Sequence, residues 1–244
     1  MSFSRLSSLS NTTLSKKNTF PTPIIQYIFN SAYTTTVSSN TYLQNRASSI
    51  YDLNLQTATL TTTSTFKCVD VTSNYATVDS GVTGNATSIV NSSSTYPAVT
   101  ITMWIYETST QAQAGIFNWN LTSDNTKCIE FQVSAGNIYC WFNTGGLWKK
   151  FGAVTLNTWT FIAMTFDGAN AALYMNNTTG ESGTTGVTNA NFLNINRNCI
   201  WLGREIYYPG DAEFAGCMAD FRMYGSALSA TQISAIYSSG ISNS

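Results

Sequence analysis

The chain has 244 residues, of which 43% are hydrophobic and only 9% charged. That length and apolar content suffice for a buried core and exclude a disordered chain. A formal net charge of −1 and the complete lack of histidine exclude an electrostatic hold on nucleic acid, any Ser-His-Asp or Cys-His triad, and the usual histidine-bearing zinc sites.

With so few charges, solubility rests on Ser, Thr and Asn, a surface that suits strands and turns better than exposed helices. Residues 1–23 are polar, lack periodicity and end in Phe20-Pro21-Thr22-Pro23. They read as an N-terminal arm, and residues 24–244 as one domain. Strand signals begin with Ile24 to Phe29. Ile50 to Leu55 alternates, with Tyr51, Leu53 and Leu55 on one face. Thr59 to Phe66 is rich in threonine, and Tyr75 to Val78 is short. Residues 81–97 read as a polar loop. Val99 to Tyr106 and Gly115 to Trp119 follow. A hairpin then joins Cys128–Val133 to Ile138–Asn143 through Ser134-Ala135-Gly136-Asn137, which sets Cys140 opposite Phe131. Gly145-Gly146 breaks the chain ahead of Leu147-Trp148.

Trp159 to Phe166 is apolar on both faces, as a central strand should be. Asp167-Gly168 turns the chain into Ala171–Met175, and Asn176 to Asn191 reads as a polar, glycine-rich excursion. Cys199–Gly203 and Phe214–Tyr224 read as the last two strands, joined by a hairpin near Tyr208. That hairpin would bring Cys199 and Cys217 face to face, which makes them the disulfide candidate among five cysteines. None of the five forms a C-x-x-C pair, which argues against structural zinc. Ser229-Ala230-Thr231-Gln232 has the form of a capping box, and Ile233, Ile236 and Tyr237 follow on one helical face. No stretch reads as a secretory leader or a membrane span. The expectation is an all-β, two-sheet antiparallel jelly-roll sandwich with one short C-terminal helix.

From Val99 to Tyr237 this order of motifs resembles the laminin G-like, concanavalin A-like jelly rolls. Ile101-Thr102-Met103-Trp104-Ile105 resembles an early Trp-bearing strand of that family. Trp159 to Gly168 resembles its central strand with an Asp-Gly turn. Leu173 to Asn177 resembles the strand after it, with Asn177 where the family usually has glycine. Phe214-Ala215-Gly216-Cys217-Met218-Ala219-Asp220-Phe221-Arg222-Met223-Tyr224 resembles its closing Phe-x-Gly-x-x-x-Asp-x-Arg-x-Tyr strand. Leu228 to Ile233 resembles the helix that follows. The resemblance implies that Trp104 and Trp159 pack in the core. It also implies a Ca²⁺ at the rim of the sandwich, for which Asp70, Asp79, Asp124 and Asp211 are candidates, with Asp79 and Asp211 preferred.

Function must then come from a site. The nearest carboxylate pair, Asp211 and Glu213, lies outside the recognised strands, so no glycosidase constellation is evident and the chain reads as a non-enzymatic protein. Exposed aromatics can stack on a sugar ring. Trp148, after the Gly-Gly break, and Tyr207-Tyr208, at the expected hairpin tip, are the ligand-binding candidates. Trp119 and Trp141 are left open. Neutral laminin G-like domains of this composition also resemble proteins of large DNA viruses. The expected role is therefore a structural and recognition protein of a virion or shell. It would dock on other proteins of a larger assembly through its arm and present a glycan-binding face. A secreted or cell-surface carbohydrate-binding adhesion domain is the alternative, and a glycoside-acting enzyme the remote one.

Overall fold

A computed structural model describes residues 21–37, 39–48, 51–79, 98–121, 124–142, 147–185, 197, 199–205 and 211–242. Two sheets make a sandwich. The first runs, in spatial order, β15 (Thr178–Thr184), β14 (Asn170–Met175), β13 (Trp159–Phe166), β8 (Val99–Glu107), β18 (Gly216–Tyr224), β6 (Phe66–Asp70) and β5 (Thr59–Thr63), and β1 (Ile25–Tyr27) also pairs with β18. The second runs β12 (Leu147–Ala153), β11 (Asn137–Phe142), β10 (Asp124–Ser134), β9 (Ala114–Leu121), β16 (Cys199–Leu202), β7 (Ala76–Asp79), β4 (Leu53–Asn54), β3 (Asn40–Leu43) and β2 (Thr34–Val37). Pairing is antiparallel except at β17 (Ala212–Glu213), which lies parallel to β9. No helix among the described residues is long and apolar enough to cross a membrane.

The core lies between the sheets, where strand alternation aims one row of each strand inward. Ile101, Met103 and Ile105 of β8 meet Ile162, Met164 and Phe166 of β13 there, with Phe117, Trp119, Ile129 and Phe131 from the second sheet. The outward row of β13 is also apolar because a second layer covers it. Phe161 and Ala163 pack under α1 (Ala230–Ser239) with Ile233 and Ile236. Trp104 and Trp159 both pack, but in this outer layer rather than between the sheets. Trp104 stacks on Tyr237 at 5.6 Å, and Trp159 meets Tyr106 and Phe66 while its indole N–H donates to the Thr63 carbonyl. The capping box forms as expected: the Gln232 N–H donates to the Ser229 hydroxyl, and the Ser229 N–H donates to the Gln232 side chain.

Three expectations are corrected. First, the excursion after Asn176 contains β15. An edge strand with nearly every side chain exposed needs no apolar alternation, so composition concealed it. Second, the threonine-rich run divides at Ser64-Thr65, a two-residue turn with both φ positive, at 49° and 74°. Neither residue is one that favours such a turn, and a β-branched residue there is strained. Thr65→Gly is expected to raise stability by about 1 kcal/mol, read by urea unfolding; a loss would mean the strain is absent.

Third, Cys199 and Cys217 do not share a hairpin. They sit on β16 and β18, in opposite sheets, and all five cysteines are free thiols. β16 and, after it, β17 both pair with β9 in the second sheet, and the chain joins the first sheet only at β18. The Ala135-Gly136 turn, by contrast, sets Phe131 opposite Cys140 as expected.

The closing strand holds a bulge. Ala219 faces Trp104 and Arg222 faces Thr102, so two residues of β18 stand against one of β8, and Asp220 takes φ 46°. The extra residue resets the alternation, so that Met218, Phe221 and Met223 all reach the core. The bulge also marks the point where the neighbour of β18 changes from β6 to β1.

Candidate functional site

With α1 over the first sheet, the outward face of the second sheet is the one that carries unspent aromatic and amide groups. Cross-strand register lines them up. Trp148 of β12 stands opposite Trp141, Trp141 opposite Glu130, Glu130 opposite Asn118, and Asn118 opposite Trp201. Because strands lie about 4.8 Å apart, this row extends roughly 19 Å across the sheet.

At one end Trp148 is 44% exposed. It stacks flat on Trp141, with centroids 5.1 Å apart and planes 4° from parallel, and meets Tyr139 edge-on at 6.1 Å. Trp148 therefore presents a fixed aromatic plate from β12, the strand that follows the Gly-Gly break. Beside it a pocket of about 250 Å³ is lined by Gln113, Gln132, Ser134, Tyr139 and Trp148. Asp211 ties two of these residues together: one carboxylate oxygen accepts from the Gln113 amide at 2.9 Å and from the Gln132 amide at 3.0 Å. Burial raises the Asp211 carboxyl above its ordinary value, and the two amide donors oppose that.

In the middle of the row the segment after β16 lies directly on the sheet. A Cβ on Gly115 would fall 2.5 Å from the main-chain N of Glu205, so only glycine lets the two backbones approach. The Glu205 carboxylate accepts from the Asn118 amide at 2.6 Å. Glu130, 1% exposed, is pushed well above the usual carboxylate range by burial, then by the charges of Glu205 and Asp211. Glu130 and Glu205 escaped sequence reading, and Asp211 was singled out only as a calcium candidate and as a neighbour of Glu213, because the three acids lie on separate segments. At the far end Tyr75 stacks on Trp201 at 4.6 Å, with the Arg204 guanidinium about equally near both rings. Trp119 lies in the core, with the Arg197 guanidinium over its ring at 4.5 Å.

Of the other candidates, Tyr207 and Tyr208 lie outside the described residues, as does the side chain of Asp79. The described residues on either side of that stretch, Glu205 and Asp211, bond to the sheet. Asp79 and Asp211 are not brought together. Asp79 pairs with Cys199, which pairs with Asn120, whereas Ala212 pairs with Ala114. The two thus mark opposite ends of β9, roughly 20 Å apart, too far to share one ion. No group of three His, Cys, Asp or Glu side chains suited to a metal occurs among the described residues. The Asp211–Glu213 pair is also divided in its contacts, since Glu213 faces Arg204 at 4.0 Å.

Residues 70–234 match the family model for the concanavalin A-like lectin/glucanases superfamily. The chain belongs to this superfamily. Among solved structures, this concanavalin A-like chain is similar to domain 4 of AbnA, an extracellular arabinanase of Geobacillus stearothermophilus, in complex with arabinotriose. Identity is 17% and the TM-score 0.64, with 89% of this chain and 98% of that one covered. It is also similar to the botulinum neurotoxin serotype D ligand-binding domain in complex with N-acetylneuraminic acid. There identity is 15% and the TM-score 0.62, with 90% of this chain and 51% of that one covered. The receptor-binding domain of botulinum neurotoxin D gives 15% identity and a TM-score of 0.61, with 89% of this chain and 52% of that one covered. The chain thus spans about half the length of the toxin domains. At these identities the likeness is one of fold. No curated protein matches the sequence.

Proposed function

We propose that this concanavalin A-like domain is a non-enzymatic carbohydrate-binding module whose ligand is a neutral oligosaccharide held at the Trp148 end of the second sheet. The observation that carries the reading is the flat Trp148–Trp141 stack beside the Gln113–Gln132–Asp211 pocket. An aromatic plate supports the apolar face of a sugar ring, and fixed amide and carboxylate groups answer its hydroxyls. Among the described residues no basic side chain lines the pocket, and the Asp211 carboxylate is bonded to two of its amides, so a neutral sugar suits it better than an acidic one. The sugar complexes of the similar arabinanase and toxin domains support the class of ligand. The burial of Glu130 and Glu205, at 1% and 4% exposure, supports the non-enzymatic reading, since acids under the surface cannot reach a glycosidic bond.

Titration calorimetry against a panel of neutral and sialylated oligosaccharides tests this. Trp148→Ala is expected to weaken binding of a neutral ligand about tenfold or more, and Trp148→Phe to retain most of it. Unchanged affinity in Trp148→Ala would move the site elsewhere. The finer reading, that residues 1–23 dock the domain on a virion or other shell while this face stays outward, is supported by the composition of the arm alone. Deleting residues 1–23 is the corresponding experiment: loss of incorporation with sugar binding intact would favour it.

A further inference from the structure

We propose that Cys68 and Cys217 are a modification site, a dithiol that peroxide converts to a disulfide joining β6 to β18. Cys217 stands opposite Asp70, and Cys68 lies two residues along β6 from Asp70, so both thiols project from the outward face of the first sheet. They pack in one small cluster with Ala219 and Ile241. The Thr63 hydroxyl lies 3.4 Å from the Cys217 sulfur, and the Cys68 thiol faces the Thr61 carbonyl at 3.9 Å. Thr61 and Thr63 thus hold the pair from β5.

The other three cysteines lie in the second sheet. Cys140 faces the core from β11, whereas Cys128 projects from the opposite side of β10. Cys199 donates to the Asn120 carbonyl from β16, with β9 between it and Cys128, a separation of about 10 Å.

Diagonal partners across a sheet stand about 7–8 Å apart at Cα, a little beyond the span of a relaxed disulfide. Closing that gap requires β6 to move slightly, and β6 is placed to do so. It meets β18 over only two residue pairs and otherwise belongs to the edge hairpin with β5. The neighbouring Cys217 thiol holds the Cys68 thiol below its ordinary value, the condition that makes it the nucleophile. The Cys68 thiolate attacks hydrogen peroxide, giving a sulfenic acid and hydroxide. The Cys217 thiol then displaces that hydroxyl group, forming the S–S bond, and the proton it gives up leaves with the hydroxyl group as water. Two thiols are oxidised, and the peroxide O–O bond is the group reduced. A molecule as small as peroxide suits the site, where Cys68 is fully buried and Cys217 is 6% exposed.

The test is peptide mapping of the full chain after peroxide treatment, under non-reducing conditions. The expected product has lost two hydrogens and yields one cross-linked peptide pair containing Cys68 and Cys217. Its melting temperature rises by about 10 °C, because the cross-link restrains the unfolded chain, and dithiothreitol reverses the change. In Cys217→Ser the sulfenic acid at Cys68 stays unresolved and is trapped by dimedone. A link between any other two cysteines, sulfinic acid at Cys68 or Cys217 without a link, or no reaction while a free cysteine peptide is consumed, would each overturn the proposal. The mapping uses the unaltered protein, so it holds even if the serine variant fails to fold.

Discussion

Asp220→Ala is expected to cost about 3 kcal/mol of stability, at the lower end of what removing one partner from a buried ion pair costs. Both Asp220 carboxylate oxygens accept from the Arg222 guanidinium, at 2.8 and 2.6 Å, and one also accepts from the Ser242 N–H. The two side chains are 2% and 16% exposed. Burial is the largest single influence and works against the charge on Arg222, but the Asp220 hydrogen bonds and charge, with Tyr224, together outweigh it and leave the guanidinium above its ordinary value. Alanine strands that charge and also places a less tolerant residue at φ 46° in the bulge. Asp220→Asn keeps the backbone preference and loses only the charge, so it should fall between alanine and wild type. Urea unfolding of the three proteins measures this. A loss below 1 kcal/mol in the alanine variant would show that the bulge stands without its ion pair.

Glu107→Gln is expected to stabilise the protein by roughly 3 kcal/mol at pH 8 and to leave it nearly unchanged at pH 4. Glu107 ends β8 on the row that faces the core and is fully buried. Burial pushes its carboxyl up to about 7 from 4.5. Between those values the folded chain keeps a proton that the unfolded chain has released. Stability therefore falls as pH rises through this window, being fully present below the unfolded value and lost above about 7. Glutamine has the shape of the protonated acid and no proton to lose. Glu130, also raised by burial, contributes a fall of the same sign, so the variant should flatten the pH profile without levelling it. Melting curves at pH 4 and pH 8 decide the matter. Parallel pH profiles for wild type and variant would mean that an opposite charge or water compensates Glu107.

Local pattern carried much of the fold. The Ala135-Gly136 turn gave the register of its hairpin to the residue, and the capping box located α1. Trp148 was legible as an exposed aromatic because the two glycines before it are poor strand formers. What failed depended on where strands go rather than where they are. Nothing near Cys199 or Cys217 records that β16 and β18 enter different sheets. Pairing partners far away, on β9 and β8, make that choice. The half of the site built from Gln113, Gln132, Glu130 and Glu205 was invisible for the same reason, and Asp211 was legible only as a calcium candidate, since each is an ordinary polar residue until the sheet aligns them.

The way Glu205 and Asp211 grip the sheet has an evolutionary reading. Both anchors bond to residues of β9, β10 and the approach to β9. A change at Gln113, Gln132 or Asn118 therefore has to keep an amide donor for the carboxylate it serves, which links three positions on separate parts of the chain under one selective constraint.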